Sequence, residues 1–135
     1  MEEKEGIPPS KSEVELEKPD RDIRILADFY SKHHLSGNRR NQSVSEEKRS
    51  KLFKEWMGKN KKVLDMGCRD GILTRHFIEQ NEVTGLDIDK QALEACRENL
   101  NIETKWADFS LQIPIPSYSF DVVVAGEVIE HLPYP

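Results

Sequence analysis

The chain of 135 residues predicts a doubly wound α/β domain with a mostly parallel sheet, preceded by helices. Three observations carry that expectation. Strand-like and helix-like segments alternate from Lys62 onward; the first and fourth strand-like segments are short apolar runs; and VLDMGCRDGILTRHF (63–77) breaks after its first strand into a turn holding Gly67 and Gly71. Alternation at this rate calls for right-handed crossovers between parallel strands, with helices on both faces.

Residues 1–20 are rich in Pro, Glu, Lys and Ser and poor in large apolar groups. They bury too little surface to offset their ordering entropy and read as a disordered tail. Residues 21–60 form a helical unit. From Asp22 to about His34, Ile23, Ile25, Leu26, Phe29 and Tyr30 fall close to helical spacing, until SGNRRNQS (36–43) breaks the pattern. Ser45, with Glu46 and Glu47, caps a second helix whose Leu52, Phe53, Trp56 and Met57 form an apolar stripe ending at Gly58.

Residues 61–135 form the α/β unit. Val63–Met66 is a strand, Ile72–Glu79 a helix, Glu82–Leu86 a strand, Lys90–Leu100 a helix, Ile102–Ala107 a strand, Phe120–Ala125 a strand, and Glu127–Leu132 the start of a helix. DVVVA (121–125) is apolar on both faces, the signature of an interior parallel strand, yet the sequence stops ten residues later. As an outermost strand it would leave a flat apolar edge open to aggregation, so the chain reads as the front part of a longer domain.

Composition excludes several classes. No stretch approaches the roughly 20 apolar residues of a membrane-spanning helix, and the charged first residues are unlike a secretion signal, so no membrane is expected and the cytoplasm is. Cys68 and Cys96 lack metal-ligand spacing and read as free thiols. Residues 1–62 carry 15 Lys and Arg against 12 acids, whereas 63–135 carry 5 against 13. The acidic second half suits a cationic or neutral ligand rather than nucleic acid. The basic stretch 39–62 reads as a solvated helix face, having no aromatic pattern interleaved on its exposed side.

In open α/β sheets, ligands sit beyond the carboxyl ends of the strands, where strand order reverses. Four loops would meet there if the first and fourth strands are neighbours, and each brings a carboxylate: Asp65, Asp87, Asp108 and Glu127. A glycine turn lets backbone approach a ligand at a helix start. Asp87, twenty residues after Gly67, stands where an acid gripping ribose hydroxyls belongs. Asp108 can accept from the amine of adenine, with Phe109 against the ring. Together the loops describe a nucleoside pocket.

The dinucleotide pattern G-x-G-x-x-G, aligned on Gly67, requires glycine where the chain has Arg69 and Ile72, which disfavours a nicotinamide cofactor. The pattern acid-x-G-x-G-x-G fits Asp65–Gly71 at the acid and at two of three glycines. At this point the chain resembles the class I S-adenosylmethionine-dependent methyltransferases, especially the small-molecule, ubiquinone-biosynthesis-type branch. The resemblance rests on four collinear motifs: VLDMGCRDG (63–71), GLDIDKQAL (85–93), WADF (106–109) and FDVVVAGEVIEHLP (120–133). It implies a Rossmann-like, seven-stranded sheet whose last three strands lie beyond Pro135, with the N-terminal helices covering the cofactor.

The resemblance further implies methyl transfer by in-line displacement at the sulfonium, leaving S-adenosylhomocysteine. Asp65 and the backbone near Gly67 and Gly126 would hold the methionyl end, Asp87 the ribose, and Asp108 and Phe109 the adenine, with Cys68, Arg69, Gly71, Ile88 and Glu127 completing the cofactor-binding set. Arg69 departs from the pattern and is read as a tolerated substitution. With negative φ it can turn away or reach the cofactor carboxylate, whereas positive φ would cost about 1 kcal/mol.

His131, one turn after Glu127 and the only histidine assigned to this mouth, is the candidate base, set against a helix-capping or packing role. His33 and His34 read as surface residues. Glu127, Glu130 and His131 also resemble the metal-binding stretch of small-RNA 2′-O-methyltransferases, but a further ligand is missing and no metal is assigned. A small-molecule acceptor is expected, its identity open. The alternatives are a non-catalytic cofactor-binding or interaction module and, behind it, the RNA methyltransferase.

Overall fold

The computed structural model describes residues 23–35, 45–126 and 128–132. The tail at 1–20, the break at 36–43 and Glu127 lie outside the described residues, wholly or in part. Two helices, α1 (Ile23–Leu35) and α2 (Glu46–Met57), precede the sheet. There follow β1 (Lys62–Met66), β2 (Glu82–Asp87), α3 (Lys90–Leu100), β3 (Glu103–Trp106) and β4 (Val122–Val124).

The four strands are parallel and ordered β3-β2-β1-β4. The chain steps outward from β1 to β3 and returns to the far side of β1, pairing Leu64 with Val123 and Asp65 with Val124. Strand order therefore reverses between β1 and β4, where a crevice opens at the carboxyl ends.

Alternation along β1 divides the core. Val63 joins Met57, Phe77, Val83 and Val124 on one face, with the Phe53 and Phe77 rings edge-to-face at 6.0 Å. Leu64 joins Leu86 and Ala107 on the other, covered by Phe109, Ile113, Ile115 and Phe120. α3 adds Leu93 and Cys96 beside Cys68, and Ile102 packs against both this group and the Val63 face. The described helices that pack on the sheet thus share one face. The segment between β3 and β4, for which the sequence named no helix, is irregular and has Pro114 and Pro116 in its middle, where neither can donate to a helical ladder.

Three local expectations are corrected. The helix at 72–79 is a single 3-10 turn, Thr74–His76: Asn81 Nδ2 donates to the Phe77 carbonyl at 3.0 Å, in place of the backbone N–H that a continuing helix would bring there, while the Thr74 hydroxyl donates to Asp65 Oδ2 at 2.6 Å. Among the described residues, the segment after β4 likewise makes a 3-10 turn, Ile129–His131. Ser45 has φ 55° and no side-chain cap bond, in contrast to Asp89, whose carboxylate accepts from Gln91 and Ala92 N–H at the start of α3. The α2 stripe also divides: Met57 is buried, but Leu52 is 42% and Trp56 75% exposed. Trp56 therefore stands in the open, contrary to its expected place in the apolar stripe. On β4, Val123 is 57% exposed.

Candidate functional site

The bend after β1 is built on β2. Gly67 and Cys68 N–H both donate to the Leu86 carbonyl, at 2.8 and 3.1 Å. Arg69 N–H donates to Asp87 Oδ2 at 2.9 Å, while Asp87 Oδ1 accepts from Asp89 N–H at 2.9 Å. The Asp87 carboxylate thereby fastens the glycine bend to the entry of α3. Arg69 adopts φ 50°, so the positive-φ branch holds, and its Nε pairs with Asp70 at 3.0 Å.

Gly67 has φ 77°, and a Cβ there would meet Val128 Cγ2 at 2.3 Å: the loop after β4 packs directly on the bend. Gly71 has φ 85° but stands outside the cavity wall. A Cβ there would meet Leu100 Cδ1 at 2.5 Å, so its place is the packing of α3.

Over this crevice lies a cavity of about 410 Å³. Its floor is Asp65, Gly67, Cys68 and Arg69; its sides are Asp87 with Ile88, Asp108 with Phe109, and Gly126 with Val128. Trp106 Nε1 donates to the Ile88 carbonyl at 2.7 Å, with Lys90 Nζ 5.4 Å above the indole.

The three described carboxylates differ in their surroundings. Burial pushes the Asp65 carboxyl up to about 7, the Thr74 hydroxyl and Arg49 opposing that shift and Asp87 adding to it. Asp108 Oδ1 accepts from both the N–H and the hydroxyl of Ser110, at 2.8 and 2.6 Å. Its Oδ2 is buried with no hydrogen-bond partner among the described residues, an unmet acceptor in the cavity wall. Both cysteines are buried and free; the Cys96 thiol beside it, together with burial, pushes Cys68 well up, so it stays a thiol.

The helical unit contributes a roof that no strand-end motif announces. α2 brings Arg49 and Phe53, and α1 brings Phe29, Tyr30 and His33. Arg49 and Phe53 fall four apart in sequence and so on one helix face, the available signal. His33, expected on the surface, lines the cavity and stacks on Phe29 at 6.1 Å, so His131 is not the only histidine at the mouth. His131 also lines it and meets the Tyr30 ring edge-on at 6.2 Å. Glu127 falls outside the described residues, and among those described no group of three or more His, Cys, Asp or Glu could hold a metal ion.

Residues 63–135 match the family described as a methyltransferase domain. A ubiquinone biosynthesis O-methyltransferase of Vibrio parahaemolyticus is 31% identical over all of this chain and 57% of its own length. Coclaurine N-methyltransferase, solved with N-methylheliamine and S-adenosylhomocysteine, is 26% identical with TM-score 0.50 over 58% of this chain and 26% of its own. A TehB-like SAM-dependent methyltransferase of Corynebacterium glutamicum shares the fold, with TM-score 0.58 at 20% identity over 81% of this chain and 59% of its own. The chain thus spans from about a quarter to somewhat over half the length of these proteins.

Proposed function

Because the chain belongs to the methyltransferase-domain family, we propose that it serves an S-adenosylmethionine-dependent methyltransferase acting on a small-molecule acceptor. The observation that carries the reading is Asp108: a buried carboxylate oxygen lacking a partner, in a crevice at the strand-order reversal, is the acceptor that the exocyclic amine of adenine requires. Phe109 and Ile88 supply apolar wall for the base. Asp87, in the wall one strand away, faces the ribose hydroxyls. Arg49 is the cation for the carboxylate of the methionyl end, and Asp65 with the backbone at Gly67 and Gly126 completes that end.

When bound, the cofactor supplies an activated methyl group, so the protein's task is placement and charge. Acidic walls suit a cationic sulfonium, and the roof of Phe29, Tyr30 and Phe53 excludes water from it. His131, at the mouth, takes the acceptor's proton where that acceptor is a hydroxyl. The relatives named above include both an O- and an N-methyltransferase, so the acceptor atom is left open. A reducing, cytoplasmic setting belongs to the same proposal, supported by two buried free thiols.

Titration calorimetry with S-adenosylhomocysteine and with NAD tests the cofactor: binding of the first alone is expected. Transfer of label from methyl-labelled cofactor into a metabolite extract tests the reaction. Micromolar binding without transfer would replace the enzyme with a cofactor-binding module.

A further inference from the structure

α2 is fastened to the core by different means at its two ends. At the carboxyl end the ties are amides: Asn60 N–H donates to the Gln80 carbonyl at 2.7 Å, Lys61 N–H to Asn81 Oδ1 at 2.9 Å, and Asn81 Nδ2 to the Phe77 and Gly58 carbonyls at 3.0 and 3.3 Å. At the amino end Ser45 provides no side-chain cap. The tie there is Glu46, whose Oε1 accepts from Arg75 Nη2 at 2.5 Å and meets His76 Nε2 at 2.7 Å. His76 and then Arg75 hold the Glu46 carboxyl below the usual carboxylate range. Arg75 and His76 belong to the 3-10 turn that follows the glycine bend, and Arg49 lies one helical turn after Glu46.

Arg75 is half exposed, and exposed ion pairs add little to global stability. Position is another matter. Arg49 Nη2 would lie 2.9 Å from a Cβ on Gly126, so the first turn of α2 carries a cation onto the loop after β4. A shift of about 1 Å in that turn would take the guanidinium out of reach of a bound carboxylate.

We propose that Glu46 is a positioning residue for the methionyl end of the cofactor: by gripping Arg75 and His76 it sets the first turn of α2, and through it Arg49, over the cavity. This rests on the S-adenosylmethionine reading of that cavity. Glu46 does not line the cavity, so its influence passes through Arg49.

The test compares two ligands. S-adenosylhomocysteine carries the amino-acid end; 5′-methylthioadenosine keeps the nucleoside and lacks it. In Glu46→Ala the dissociation constant for S-adenosylhomocysteine is expected to rise about tenfold while that for 5′-methylthioadenosine changes less than about twofold, with Arg49→Ala showing the same selectivity. Combining the two substitutions should cost no more than Arg49→Ala alone, since both remove one contact. Glu46→Gln, which keeps the shape and loses the charge, should fall between and serves if the alanine variant does not fold. Equal weakening of both ligands, no weakening of either, or additive losses would overturn the proposal. A parent protein that binds neither ligand would instead overturn the cofactor reading itself.

Discussion

Asp87 Oδ2 accepts the backbone N–H of Arg69 at 2.9 Å, binding the tip of β2 to a residue held at φ 50°. A side chain with a Cβ is disfavoured there by about 1–2 kcal/mol. Glycine would relieve that strain while costing about 0.5–1 kcal/mol of unfolded-state entropy. Arg69→Gly is therefore expected to leave stability unchanged or raise it by up to about 1 kcal/mol in urea unfolding. A loss above that size would show that the Asp70 contact outweighs the backbone.

Asp87→Asn retains the shape and gives up one of two accepting oxygens. Because Arg69 and Asp89 N–H both depend on that carboxylate, one is left unmet at about 1–3 kcal/mol. Urea midpoints should fall accordingly, and S-adenosylhomocysteine binding should weaken beyond what the stability loss explains. Unaltered binding would detach Asp87 from the ligand.

At Asp108 the two oxygens separate structure from recognition. Asp108→Asn can keep the Ser110 bonds through its remaining oxygen and presents a donor in place of Oδ2. Calorimetry should show adenosyl-ligand affinity lowered by about 1.5–3 kcal/mol with little change in melting temperature. Equal affinity in the variant would remove adenine from that wall.

The Asp65 carboxyl, raised by burial from its ordinary 3.8 to about 7, gives a pH dependence of definite sign. Between those values the folded protein holds a proton that the unfolded chain has released. Stability should thus decline from this group as pH rises toward 7, and level off above it. Asp65→Asn should flatten that decline in unfolding series run from pH 5 to 8. A bound cation would favour the ionised form, so ligand binding near pH 7 should release protons, read as a buffer-dependent binding enthalpy.

Gly67→Ala places a methyl group 2.3 Å from Val128 Cγ2 at φ 77°. Overpacking of this kind costs about 1–3 kcal/mol, with backbone strain added. Circular-dichroism melts should show a clear loss, and Val128→Ala in the same chain should recover part of it.

β1 and β2 were legible because their buried residues leave short apolar stretches, α3 because its helical spacing survives in isolation, and β3, largely exposed, only because it falls in the strand-helix alternation. The carboxylates Asp65, Asp87 and Asp108 meet because strand ends meet in the order β3-β2-β1-β4, which the sequence alone could pose only as a condition. The 3-10 turn was not legible: Leu73, His76 and Phe77 hold helical offsets, but the Asn81 side chain, tied across to Lys61 N–H, takes the Phe77 carbonyl, and that tie is a tertiary event. Nor could spacing reveal that α1 and α2 close over the crevice, which is what brings His33 and Arg49 to its wall and leaves Trp56 outside.

The indole of Trp106 rests against the Ile88 carbonyl at the cavity rim, while the protein's other tryptophan, Trp56, stands in water. Replacing Trp56 with phenylalanine leaves a single tryptophan, which can be excited apart from the three tyrosines, next to the Ile88 wall of the cavity. Its emission then offers an optical signal for occupancy, and stopped-flow mixing can time each arrival and departure without any label.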